Sequence, residues 1–152
     1  ALAAERAAIA AGAQDARVMA SLSRGGVPLP LDAAGDDRVL DPANAGIAVQ
    51  NYGYWASGYL TVAGRPGVAC ARAREALSAA LAAVRGGGQL PGGTNANAVG
   101  LSLDEGPGDT LEPGAAYAVT SSVLDGGETA YASALVAVTE NGCEVLWRGQ
   151  PE

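Results

Sequence analysis

Apolar and polar positions divide the chain into helical, looped and β-patterned stretches. In residues 1–24, Leu2, Ile9, Ala13, Ala16 and Ala20 recur at helical spacing and form one narrow stripe. Glu5, Arg6, Gln14, Asp15, Arg17 and Arg24 fall largely elsewhere. The spacing predicts a helix over 1–24, stopped by Gly25-Gly26 with Pro28 and Pro30 beyond. No Ser, Thr, Asp or Asn cap precedes Ala1. Two accounts of that start stand: a frayed natural terminus, or a helix that continues upstream.

Residues 25–45 carry too many Pro, Gly and Asp residues for a regular element and are expected to be a loop. Ile47 to Tyr52 and Tyr59 to Ala63 are strand candidates, rich in β-branched and aromatic residues. A second helix is predicted over 66–84. Pro66 suits its first turn, and Gly86-Gly87-Gly88 follow its end. Cys70, Ala73, Leu77, Ala80, Leu81 and Val84 make its continuous apolar face, opposite Arg72, Glu75 and Arg85. Residues 86–114 form another Gly/Pro-rich stretch, with a short strand candidate at Val99 to Leu103. From Ala115 onward the pattern is β.

The last two runs, LVAVTE and CEVLWR, flank Asn141-Gly142, the pair favoured in two-residue hairpin turns because both positions take positive φ. A hairpin over 135–148 in that register sets Glu140 opposite Cys143, Val138 opposite Val145 and Val136 opposite Trp147, all on one face. Cys143 then points inward. Cys70 lies on the inner face of the second helix, so a helix packed on the sheet lets the two sulfurs meet. The expectation is a Cys70–Cys143 disulfide and an oxidising compartment, against two separate buried thiols.

Composition narrows the chemistry. The chain has 152 residues, one domain's worth, with no run of 18 apolar residues. Its core must use small side chains, because Phe is absent and aromatics are 5%. The net charge of −7, with scattered arginines and no Lys, disfavours nucleic-acid binding. With no His, the commonest general base and metal ligand is missing, so an enzyme would depend on carboxylates, Tyr, Arg or a bound metal. Composition thus argues against an enzyme and calls for no cofactor. Asp104, Glu105, Asp109 and Glu112 cluster in one loop, as do Asp32, Asp36, Asp37 and Asp41. Either loop offers oxygen ligands to Ca²⁺ without EF-hand spacing, and a solvated acidic loop is the alternative. Tyr52, Tyr54, Trp55 and Tyr59 form the aromatic cluster, as a partner-contact patch or as large members of a small-residue core.

The order of elements resembles the soluble domain of a type IV pilin of the IVb class. An Ala-rich helix begins abruptly, then come a variable loop, strands, the unit YLTVAGRPGVACARAREALSAAL, and a β-rich end with the second cysteine in ENGCEVLWR. The resemblance implies an α+β domain over 1–152. Its N-terminal helix would pack on a mainly antiparallel sheet, with a second helix and a disulfide-stapled C-terminal region. It further implies a filament subunit at the bacterial surface that polymerises with other pilin subunits. An upstream apolar segment would hold its precursor in the inner membrane. The rivals are a secreted or periplasmic glycan- or protein-binding module, a pseudopilin of a secretion system, and a carboxylate- or metal-dependent enzyme.

Overall fold

The computed structural model describes residues 2–21, 24–30, 40–102 and 110–149. Helix α1 (Leu2–Ala10) is followed by strands β1 (Asp15–Ala20), β2 (Leu29–Pro30), β3 (Ala43–Asn51) and β4 (Tyr54–Val62). Helix α2 (Val68–Ala83) leads to β5 (Thr94–Ala98), β6 (Ala116–Asp125), β7 (Glu128–Val138) and β8 (Cys143–Arg148). The strands form two four-stranded sheets, ordered β2-β1-β3-β4 and β5-β6-β7-β8, with antiparallel pairing throughout. The predicted α+β class with two helices and antiparallel sheet holds at that level.

The second sheet carries the larger core. Along β7, Ala130, Ala132, Ala134, Val136 and Val138 alternate onto one face, where they meet Ala73, Leu77, Ala80 and Leu81 of α2. The apolar stripe foreseen on α2 is the buried one: Cys70, Ala73, Leu77, Ala80, Leu81 and Val84 are all buried. Ser121, in the same interface, keeps its hydroxyl satisfied by donating to the Ala73 carbonyl.

The N-terminal expectation needs correction. Helix α1 has 9 residues, and Gly12, at φ 105°, turns the chain into β1. Ala16, Val18 and Ala20 also alternate at period two, and six paired positions along β3 satisfy the backbone that a longer helix would have used. The first sheet tolerates close packing because Gly46 lies beside the Tyr59 ring. A Cβ there would sit 2.7 Å from a ring carbon.

Hairpin turns fall where positive φ falls. Tyr52-Gly53 (49° and 82°) joins β3 to β4, and Gly126-Gly127 (59° and 82°) joins β6 to β7. Asn141-Gly142 instead belongs to a longer loop over 139–142. The Thr139 N–H there donates to the Gly142 carbonyl at 2.8 Å, and Val138 pairs with Cys143. This register differs from the expected one by two residues, so Val136, Val138, Cys143 and Val145 keep a common face. A register shift between Leu135 and Val136 then sets Trp147 opposite Leu135, on the other face, where its ring lies over Gly58. The strand expected at Val99–Leu103 is displaced to Thr94–Ala98, and Leu103 lies outside the described residues.

The expected disulfide is absent: Cys70 and Cys143 are free thiols. Both face the helix–sheet interface, but at different heights along α2. Cys143 Sγ donates to the Leu81 carbonyl at 3.6 Å. Leu81 stands 11 residues past Cys70, about 16 Å along a helix that rises roughly 1.5 Å per residue. A disulfide needs Cα atoms within roughly 7 Å.

Candidate functional site

The two sheets meet where β7 runs out of partner. β8 pairs with β7 only from Ala134 to Val138, leaving the outward backbone groups of residues 128–133 to be satisfied elsewhere. The first sheet and the turn between β1 and β2 supply them. Thr129 N–H donates to the Gly25 carbonyl at 2.9 Å, and Tyr131 N–H donates to Thr61 Oγ1 at 2.8 Å. Asn44 Nδ2 donates to the carbonyls of Thr129 and Gly26, each at 2.7 Å, while Asn44 Oδ1 accepts the Thr61 hydroxyl at 2.5 Å.

The edge of β4 is closed in the same way. Ser133 Oγ accepts the Tyr59 N–H at 2.8 Å and donates to the Tyr59 carbonyl at 2.7 Å. Thr120 Oγ1 lies 2.8 Å from the same oxygen. Trp55, further along the edge, exchanges backbone bonds with Gly100. Asn44, Ser133 and Thr61 are all buried. Tyr59 and Tyr131 stack across the seam with ring centroids 5.9 Å apart. Burial, and secondarily the Tyr59 phenol, push the Tyr131 hydroxyl above its ordinary pKa.

Beside this seam opens a pocket of about 310 Å³. Leu60, Thr61, Val62 and Ala63 form one wall, Pro66, Cys70 and Arg74 another, and Gly149 the third. Cys70 and Arg74 are four residues apart, hence on one face of α2. Arg72, on a neighbouring face, is tied to Asp125 at 3.3 Å, whereas Arg74 makes no ion pair among the described residues. An apolar-walled pocket with a guanidinium that has no ion pair among the described residues suits a small molecule bearing a carboxylate, which an arginine engages through two parallel hydrogen bonds.

The residues singled out from sequence separate in space. Tyr52 is 86% exposed at its hairpin tip and Tyr54 is exposed beside it. Trp55 is buried, with the Arg17 guanidinium 5.8 Å from its ring centroid. Tyr59 lies in the seam. Asp41 is exposed and accepts the Gly64 N–H at 3.1 Å, and the backbone N–H of exposed Glu112 donates to the Tyr117 hydroxyl. Asp32, Asp36, Asp37, Asp104, Glu105 and Asp109 lie outside the described residues. Burial pushes the Cys143 thiol pKa up, and Arg148 pulls weakly the other way. Sequence reasoning missed Asn44, Thr61, Ser133 and Arg74. The usable signal was a polar residue at an inward position of a β run, as Asn44 is in ANAGIAV.

Two antiparallel sheets with a helix across one of them correspond to half of a pita-bread domain, the fold of prolidases, X-Pro aminopeptidases and methionine aminopeptidases. Prolidase from Pyrococcus furiosus superposes with a TM-score of 0.70 at 17% identity, over 100% of this chain and 55% of that one. X-Pro aminopeptidase from Thermotoga maritima gives 0.67 at 22% identity, over 93% and 50%. Methionine aminopeptidase from the same organism gives 0.59 at 18% identity, over 86% and 72%. The chain thus spans about half the length of the prolidase and the X-Pro aminopeptidase. No protein-family model matches the sequence, nor does any curated protein.

These likenesses overturn the pilin resemblance. What the two layouts share, a helix ahead of strands and a second helix before a β-rich end, does not distinguish them, and the disulfide that would have is missing. The filament-subunit function goes with it, as does the expectation that the chain is not an enzyme, because the solved structures named above are peptidases. Metallopeptidases of this fold imply a metal centre, and the described residues do not fit one. The whole chain lacks His. Among the described residues no three of Cys, Asp and Glu converge.

Proposed function

We propose that this chain is a peptide-handling domain of the pita-bread fold, binding a short peptide by its carboxylate end in the pocket beside the seam. The likeness to peptidases over the full length of the chain carries this reading. The X-Pro aminopeptidase and the methionine aminopeptidase act on peptides, as their names state, and the pocket has the size and the cation for the carboxylate of a short one. Arg74 would hold the carboxylate. Leu60, Val62 and Pro66 would enclose the adjoining side chain. Cleavage chemistry is not part of the proposal, since the described residues offer neither a metal-ligand set nor a histidine base.

The test is calorimetric titration with alanyl-proline, methionyl-alanine and their C-terminal amides, with chromatography for hydrolysis in parallel. Saturable binding of the free acids is expected, weakened roughly tenfold by amidation or by Arg74→Gln, the worth of one charge-assisted contact. Binding indifferent to both changes, or no binding at all, removes the proposal.

A further inference from the structure

The disagreement between fold and ligand set has a structural counterpart in the seam. Asn44, Thr61 and Ser133 are buried, and their side-chain polar groups are spent on protein partners. Asn44 Nδ2 serves two carbonyls and its Oδ1 takes the Thr61 hydroxyl. Thr61 Oγ1 also takes the Tyr131 N–H. Ser133 Oγ closes on both backbone groups of Tyr59. The acidic residues at the adjoining β6–β7 turn are committed elsewhere, Asp125 to Arg72 at 3.3 Å and Glu128 to Arg24 at 2.8 Å. A divalent cation needs several oxygen or nitrogen donors free of other partners, and usually anionic ones.

We infer that the seam between the two sheets is a closed, neutral network of hydroxyl and amide groups that takes no divalent metal ion. Hydrogen bonds across the seam do the work of joining the sheets. This inference is independent of peptide binding, because metal content is read without peptide.

The experiment is expression of the chain in medium supplemented with Mn²⁺, Co²⁺ and Zn²⁺, and purification without chelator. Elemental analysis follows, with thermal melts in the presence and absence of EDTA. The expected result is metal well below one equivalent and an unchanged Tm with chelator. Two variants locate any metal found, one carrying Asp104→Asn, Glu105→Gln and Asp109→Asn, the other Asp32→Asn, Asp36→Asn and Asp37→Asn. Metal that disappears in either variant belongs to the substituted carboxylates and leaves the seam empty, as inferred. A full equivalent that persists in both variants and whose removal by EDTA lowers Tm overturns the inference.

Discussion

Each sheet has its own helix, yet the two pairs are stabilised differently. Helix α2 has 16 residues and buries Ala69, Cys70, Ala73, Leu77, Ala80 and Leu81 against the second sheet. Helix α1 has 9 residues and leaves Ile9 48% exposed against the first. The second sheet is held by apolar burial on its helix side. The first is held through the polar seam and the β4 edge. Length separates the two helices: α1 covers little sheet with 9 residues, while α2 repeats its buried stripe along 16.

The largest predicted effect sharpens that contrast. Leu77→Ala should cost about 3 kcal/mol, the range for a buried Leu whose site collapses only partly, while Ile9→Ala should cost under about 1 kcal/mol. Urea denaturation of both variants checks it, and equal losses would mean that α1 is packed as tightly as α2. Asn44→Ala comes next. It orphans two carbonyls and one hydroxyl in the buried seam and should cost about 2 kcal/mol or more, with the loss felt in both sheets. Hydrogen exchange reads this directly: protection should fall at Tyr131 as well as in β3.

Smaller effects follow. Tyr52→Asn should stabilise by about 0.5 to 1 kcal/mol, because Tyr52 holds a φ of 49° at an exposed turn where Asn is better tolerated. Alkaline pH should erode stability modestly. Tyr131 and Cys143 have folded pKa values raised mainly by burial, so the unfolded chain loses those protons first. Their stabilisation is full below the unfolded values and disappears as pH rises through the folded ones. Tyr131→Phe should therefore flatten the fall above about pH 9, where a free thiol and then a free phenol titrate. Reductant should leave Tm unchanged, since both cysteines are thiols.

How much of this was legible follows from what periodicity carries. The buried face of α2 was readable because large apolar residues recur at three and four over its whole length. Strand β1 was not, because Ala16 and Ala20 fit a helical stripe and a strand alternation equally, and the partner strand that decides lies nearly 30 residues away in β3. Periodicity gave the inward faces of both cysteines but carries no height along the helix, which is what forbids their bond. The outward turn of Trp147 depends on one extra residue in β8, which no local pattern marks. The seam was hidden for a related reason: a serine or threonine in a strand reads as surface until the strand's missing neighbour is known.

Ser133 grips both the N–H and the C=O of Tyr59 with a single oxygen, standing in for a neighbouring chain that is not there. Severing the polypeptide between Val62 and Val68 would therefore strip β4 of its terminator and expose a ready template for strand addition. The N-terminal fragment expressed by itself should stack into aggregates, and co-expression with the C-terminal fragment should dissolve them.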